Sequence, residues 1–462
     1  MKGLEVSEVK LEQALEINRI DSEFYKPSLI RLDQKIASVK GESLDSLCEF
    51  LVGPFGSEFS VKNYEATECG KYRYVRGKDV KNFFLEETDN VFIPESDFDR
   101  LSKHALREGD LLISVVGTIG NCCIVRSENI PTIFSCKSTV VRNTKVDPWY
   151  LLTYLNTSLG KSLLYRNSRG AIQLGLNLID LKRLKIPLVS KKLQSGIRLT
   201  VENALSKKLE AKKLQQKAEQ TLLSALGLED WEPPNPLTYE ASVQDSFTAG
   251  RLDAEFFQEK YQSIEKRLSI HPLRRFSEDC FVLKGKTVPY VDSGHVRIIR
   301  SGDLNDISDP KKFKECLDSE DYFPLEKGDV LISSIGFGSI GKVQVFDLDI
   351  PCGTVSEVTV IRAQSLNPYY VCAYLRSIAG QLQFERWTTG ATGQLHLYAR
   401  DVKQMFIPAI DNNQQKNFEK LSKKQNELLQ KSKDLLERAK RAVEIAIEKN
   451  EEAAIRFLSS EK

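Results

Sequence analysis

The sequence predicts an α+β protein in which two strand-rich globules are separated by two long helices paired as an antiparallel coiled coil, the whole forming a pseudo-two-fold internal repeat. Three observations predict it. The chain says the same thing twice, in the same order. Each half begins with short β-branched and aromatic runs cut by Gly, Pro and Asp turns. Each half then closes on a long Pro-free segment rich in Lys, Glu, Gln, Leu and Ala. At 462 residues the chain is also long for one domain, since a unit takes roughly 150.

The repeat carries the architecture. Arg19-Ile-Asp-Ser-Glu-Phe-Tyr25 returns as Arg251-Leu-Asp-Ala-Glu-Phe-Phe257, and Tyr74-Val-Arg-Gly-Lys-Asp-Val80 as Ile298-Ile-Arg-Ser-Gly-Asp-Leu304. Leu106-Arg-Glu-Gly-Asp-Leu-Leu-Ile-Ser114 returns as Leu325-Glu-Lys-Gly-Asp-Val-Leu-Ile-Ser333, and Asp147-Pro-Trp-Tyr150 as Asn367-Pro-Tyr-Tyr370. Arg166-Asn-Ser-Arg-Gly-Ala171 with Gln173-Leu174 and Asp180 aligns with Arg386-Trp-Thr-Thr-Gly-Ala391, Gln394-Leu395 and Asp401. Both copies close on Ile-Pro, at Ile186-Pro187 and Ile407-Pro408. Five collinear matches mark a tandem duplication.

Within each globule, runs such as Leu111–Val116 and Val343–Phe346 read as strands. Asp147-Pro148 and Asn367-Pro368 read as helix starts, an Asx cap followed by Pro at the first helical position. The long segments, roughly 191–226 and 412–456, read as helices. In the second, Leu421, Leu428, Leu435 and Ala442 recur every seven residues, as do Phe418, Gln425, Ser432, Ala439 and Ala446, a coiled-coil seam with small residues that permit close approach. The first is less regular (Ile197, Val201, Leu205, Leu209, then Leu214, Ala218, Leu222) and ends at Leu226-Gly227, a C-cap signal. At ~1.5 Å per residue a helix of this length holds the globules far apart. The predicted boundaries are an N-terminal arm (1–41), a first globule (42–190), a first long helix (191–228), a linker with the second copy of the arm (229–270), a second globule (271–410), and a second long helix with a tail (411–462).

Composition excludes several classes. Lys+Arg and Asp+Glu nearly cancel, 66 against 64, which rules out a uniformly basic coat and leaves room for local basic patches. The 22 Phe and 15 Tyr are not those of a disordered chain. No apolar run approaches the ~18 residues of a membrane span, and the opening residues lack a signal-peptide core, so a cytoplasmic location with no membrane partner is expected. Nine cysteines without a C-x-x-C pair, and four isolated histidines, predict reduced buried thiols and no metal site.

Two look-alike motifs fail on context. Gly336-Phe-Gly338-Ser-Ile-Gly341 fits G-x-G-x-x-G, but Val343-Gln-Val-Phe346 reads as a strand where a phosphate loop needs a helix. The D/N-P-W/Y-Y pair resembles an adenine-methyltransferase motif without its second Pro and without a cofactor loop upstream. No catalytic centre and no cofactor are expected.

Nucleic-acid candidates are clearer. Residues 182–217 hold eleven Lys and Arg against Glu202 and Glu210, whereas 411–451 hold ten basic and eight acidic side chains; the first helix is the better phosphate-facing element. Two corresponding loops carry side chains able to contact base edges: Ser168, Arg169, Gln173 and Asn177 in one half, Thr388, Thr389, Gln394 and His396 in the other. Arg76, Lys78, Lys137, Lys286 and Arg300 complete the candidate DNA-binding set. Framework Gly, Ala and Gln-Leu positions match between halves while exposed polar positions differ, as in a duplicated reader with diverged tips.

With its repeated [IL]-D-[SA]-E-F-[YF], G-D-[LV]-L-I-S and closing D-[LV]-K-x-[LM]-x-I-P, in doubled order over essentially the whole chain, the sequence resembles the specificity subunit of type I restriction–modification systems. The resemblance implies two target-recognition domains, each reading one half of a bipartite asymmetric site in double-stranded DNA. It implies spacer helices that set the gap and bind two methyltransferase subunits, motor–nuclease restriction subunits that join them, and no catalysis in the subunit itself. A duplicated protein-interaction scaffold without DNA readout is the alternative.

Overall fold

The computed structural model describes residues 6–460 apart from 56–57, 59–60, 66–69, 88, 171–172, 391–392 and 394. It divides into two compact units, residues 1–206 with 431–462 and residues 207–430, and the division falls within both long helices.

In the first unit a four-stranded antiparallel sheet runs Glu49–Val52, Ser138–Arg142, Leu111–Ser114, Cys122–Ile124. A three-stranded sheet places Tyr72–Val75 between Phe92–Ile93 and a parallel partner, Thr132–Phe134. Leu111–Ser114, Cys122–Ile124 and Thr132–Phe134 are fully buried, as strands covered on both faces require. The helices Pro148–Asn156 and Ser158–Arg166 share the main core with Leu111, Ile113 and Ile124.

The second unit repeats this topology. Cys280–Lys284, Val358–Ala363, Val330–Ser333 and Val343–Val345 form one antiparallel sheet. Val296–Ile299 pairs in parallel with Cys352–Thr354 in the other, and Pro368–Arg376 and Ile378–Trp387 are the helices. The expected caps are present: the Asp147 carboxylate accepts from Trp149 N at 2.8 Å, and Asn367 Oδ1 from Tyr369 N at 3.0 Å.

A short clasp closes each globule. Gly41–Ser43 pairs antiparallel with Lys185–Pro187, and Leu273–Arg275 with Phe406–Pro408. The tyrosine of the repeated D/N-P motif braces it: Tyr150 Oη donates to the Pro187 carbonyl at 2.5 Å, and Tyr370 Oη to that of Pro408 at 2.6 Å.

The long helices span Lys191–Leu226 and Asn412–Glu448. In the first unit Leu193, Ile197, Val201 and Leu205 are buried in the cluster that holds Ala439 and Val443, and Ser432 Oγ donates to the Ala204 carbonyl at 2.7 Å. In the second, Leu222 and Leu226 share a cluster with Phe418. The first helix ends as expected, with Gly227 at φ 67°. The second departs from the sequence reading, which ran it to 456. It stops at Glu448, and Asn450 starts a separate helix, Glu451–Ser459, by accepting from Ala453 N at 2.9 Å. An Asn with two Glu behind it makes a better N-cap than helix interior.

The repeated R-[IL]-D-[SA]-E-F-[YF] docks the arm of each unit. Phe24 is buried with the Arg19 guanidinium 4.4 Å and the Arg166 guanidinium 4.0 Å from its ring centre. Arg19 also donates to the carbonyls of Arg166 and Ser168. In the second unit Arg251 and Arg386 flank Phe256 at 4.9 and 4.5 Å. Phe24→Ala deletes a buried ring and both stacked cations, so it is expected to destabilise the first unit by about 3 kcal/mol. Urea unfolding measures that loss, and limited trypsin digestion should cut the freed arm between residues 10 and 35.

Candidate nucleic-acid interface

Four loops of the first unit are stitched together by backbone. Val115 N donates to the Lys137 carbonyl at 2.9 Å, and Leu176 N to the Val115 carbonyl at 2.8 Å. Arg169 and Gly175 exchange both bonds, at 2.7 and 2.8 Å. The 76–79 turn joins them because position 77 is glycine: a Cβ there would lie 2.9 Å from Lys137 Cβ. Arg76, Lys78, Lys137 and the 168–177 loop therefore belong to one surface.

The arginines on that surface are engaged internally. Arg76 grips Asp79 with both arms of its fork, at 3.0 and 3.1 Å, while Asp79 accepts from Arg76 N at 2.9 Å. Arg300 and Asp303 repeat the arrangement at 3.0, 3.1 and 2.9 Å. Arg169 is bidentate on buried Asp180, at 2.6 and 2.9 Å. These forks shape the loops. Ser168 is likewise buried, its Oγ donating to the Tyr165 carbonyl at 2.6 Å.

The remaining candidates differ. Lys78 is exposed and bridges Asp89 at 2.6 Å, and Lys286 is exposed against Asp321; such surface pairs are worth at most ~1 kcal/mol and exchange readily for a phosphate. Lys137, Gln173 and Asn177 are exposed, and the Asn177 side chain makes no cap bond although it sits at the N-cap of Leu178–Lys182. In the second unit Thr388 Oγ1 is spent on the Phe384 carbonyl at 2.6 Å. Thr389 and His396 exchange backbone bonds at 2.9 and 2.8 Å, and the half-buried His396 ring stacks on Tyr398 at 5.7 Å. Gln394 lies outside the described residues. On the long basic helix Lys191 and Lys192 are exposed in the first unit, and Lys213 and Lys217 in the second.

Corresponding positions of the two halves carry different side chains. Ser334 N donates to the Glu357 carbonyl at 2.9 Å, the bond that Val115 makes to Lys137, so a glutamate occupies the place of the lysine. Thr389 replaces Arg169, leaving Asp401 without the fork that Asp180 has. Burial pushes the Asp401 carboxyl above its ordinary value, with Arg400 opposing. Tyr290, partly exposed, stands close enough to Arg300, Asp303 and Glu357 to feel their charges. Glu357 is marked by the repeat itself, which sets it opposite Lys137 in the alignment, whereas Tyr290 has no sequence signal.

Among the described residues no group of three or more His, Cys, Asp or Glu is arranged to hold a metal ion, and no helix is long and apolar enough to cross a membrane. The look-alike glycine loop does lead into a strand, Val343–Val345.

Residues 278–438 match the family described as the type I restriction modification DNA specificity domain. That stretch is thus a DNA-specificity domain. More narrowly, the matched family is that of type I restriction–modification systems. Among solved structures the chain is similar to a type I restriction–modification system S subunit from M. genitalium, at 14% identity over 92% of this chain and 97% of that one, with a TM-score of 0.41. It is also similar to the HsdS subunit from Thermoanaerobacter tengcongensis, at 16% identity over 90% and 96%, with a TM-score of 0.27. No curated protein matches the chain.

The two kinds of basic residue separate by experiment. Arg169→Ala leaves the Asp180 carboxylate buried without its fork, and with solvent reaching one side of the guanidinium the expected cost is about 1–2 kcal/mol of stability, read by thermal unfolding. Lys137→Ala should change stability by less than about 0.5 kcal/mol, cost about 1–3 kcal/mol of DNA binding and relax specificity at one base position.

Asp401 gives a pH signature. A carboxyl whose folded pKa is raised favours the folded state while protonated, and that contribution is lost as pH rises through the folded value. Asp401→Asn stays neutral, so the variant is expected to gain stability relative to the parent as pH rises above the ordinary 3.8. Thermal unfolding across the acid range checks this; parallel curves would refute it.

Proposed function

We propose that each unit reads one half of a bipartite, asymmetric DNA site, that the two long helices pair antiparallel as a coiled coil and set the gap between the halves, and that they dock two methyltransferase subunits, with motor–nuclease subunits joining the assembly. The chain itself supplies recognition and leaves the chemistry to those partners. One observation carries this reading: the two units share a frame down to individual hydrogen bonds, yet differ where the loops end. Lys137 corresponds to Glu357 in the repeat, and Arg169 to Thr389. A lysine donates to guanine O6 and N7, whereas a glutamate accepts from cytosine N4, so equal frames with unequal tips call for unequal half-sites. Lys137, Gln173 and Asn177 in the first unit, with Glu357, His396 and Gln394 in the second, are the proposed readers. Lys78 and Lys286 contact phosphate. Arg76, Arg169, Arg300, Ser168, Thr388 and Thr389 hold the loops that present them. The basic stretch of the first long helix supplies phosphate contacts that register the protein without reading sequence.

The ruler is testable. Four residues inserted beside Ala211, with four more beside Leu428 to preserve the pairing, lengthen both helices by ~6 Å. At ~3.4 Å per base pair the gap should grow by about one or two base pairs with both half-sites unchanged. Mapping methylated adenines in cells carrying the variant reads the outcome directly. Active modification at the original gap would remove the helices as the ruler, and altered half-sites would refute independent readers.

A further inference from the structure

We propose that Phe337 is a wedge that enters the base stack of the half-site met by the second unit; this rests on the reading above that the loop end of that unit meets DNA. The corresponding turns of the two halves are Gly117-Thr-Ile-Gly120 and Gly336-Phe-Gly-Ser-Ile-Gly341. Their frames coincide: Gly120 N donates to the Ser114 carbonyl at 3.0 Å and Gly341 N to that of Ser333 at 3.2 Å, while Ile119 and Ile340 each pack on their own core. The second turn differs by two extra residues, Phe337 and Gly338.

Those residues lift one ring into solvent. Phe337 is 80% exposed, between Gly336 at φ 99° and Gly338 at φ 71°, backbone that L side chains rarely adopt. The turn is nonetheless well held. Ser339 N and Ile340 N both donate to the Gly336 carbonyl, at 3.0 and 3.2 Å, and Gln381 Nε2 donates to that of Gly341 at 3.0 Å. Gly336 N donates to the Leu395 carbonyl at 3.0 Å, and Leu397 N to that of Ser334 at 2.9 Å. The backbone under the ring is thereby held beside the loop that carries His396.

A phenyl ring has no hydrogen bond to offer a base edge or a phosphate. What it can do on DNA is slide between base pairs, unstack a step and kink the duplex, as apolar wedges do. It would select sequence through the ease of that deformation, favouring pyrimidine–purine steps. Since the first unit lacks the inserted pair, only one half-site would be deformed.

The test uses the full chain assembled with its methyltransferase subunits on a duplex bearing the mapped site, with 2-aminopurine placed in turn along the second half-site. The parent complex should brighten 2-aminopurine at one step on binding. Phe337→Ala should abolish that signal and weaken binding about tenfold, with the salt slope unchanged because no charge is removed. Phe337→Trp should retain both signal and affinity, and unfolding temperatures should match throughout since the ring is exposed. Parental affinity and brightening in Phe337→Ala would overturn the wedge. So would failure of that variant to co-purify with the methyltransferase subunits, which would make the ring a protein contact. Absence of sequence-specific binding by the parent complex would instead overturn the underlying reading.

Discussion

Each unit depends on a three-residue antiparallel clasp, Gly41–Ser43 against Lys185–Pro187 and Leu273–Arg275 against Phe406–Pro408. It forces the entry and exit of each globule to lie side by side, so everything between them is a closed excursion that starts and ends at the foot of a long helix. Proline ends the clasp because it has no N–H with which to continue the ladder, and the helix starts within a few residues. A glutamine on that helix then reaches back: Gln194 Oε1 accepts from Asp147 N at 2.8 Å, and Gln415 Oε1 from Asn367 N at 2.9 Å. The clasp, the D/N-P cap and the first turn of the long helix form one joint, and that joint is why the Ile-Pro and D/N-P signatures recur together.

Most other repeated motifs prove to be braces of the same kind. The Gly-Asp turn before the central strand buries Asp110 against Arg142 at 2.6 Å and Asp329 against Arg362 at 2.8 Å, and in each case the carboxylate also accepts a backbone N–H three residues upstream. A buried carboxylate deprived of its partner is costly, so these pairs resist drift while exposed loop positions do not. Positions 137 and 357 can differ in charge because the frame beneath is fixed by other residues.

Much of this was legible in the sequence. The doubled order of elements, the strands, the capped helices and the end of the first long helix follow from period, punctuation and repeat. The break at Asn450 did not emerge, because a heptad scan counts apolar positions and passes over a polar cap that interrupts them. In the candidate loops, residue type could not sort exposed side chains from those engaged internally. Arg169 and Lys137 are both basic and both sit in diverging loops; only the position of Asp180, eleven residues on yet within bonding distance, makes one a brace. Ser168 and Thr388 look like exposed polar tips in sequence, and their hydroxyls are consumed by carbonyls three and four residues back.

The allotment of chain to units also has a consequence in time. The second unit is one continuous stretch, 207–430, whereas the first is assembled from 1–206 and 431–462, and its main core includes Ala439, Val443, Ile445, Ile447 and Ala454. A ribosome adding ~5–20 residues per second therefore finishes the whole of the later unit before it delivers the piece the earlier unit is waiting for. For ~10–50 s the growing chain carries a first globule with an uncovered apolar helix, Leu193, Ile197, Val201 and Leu205 facing water. The half that is synthesised first is the half that matures last, and during that interval it is the segment that chaperones and proteases can reach.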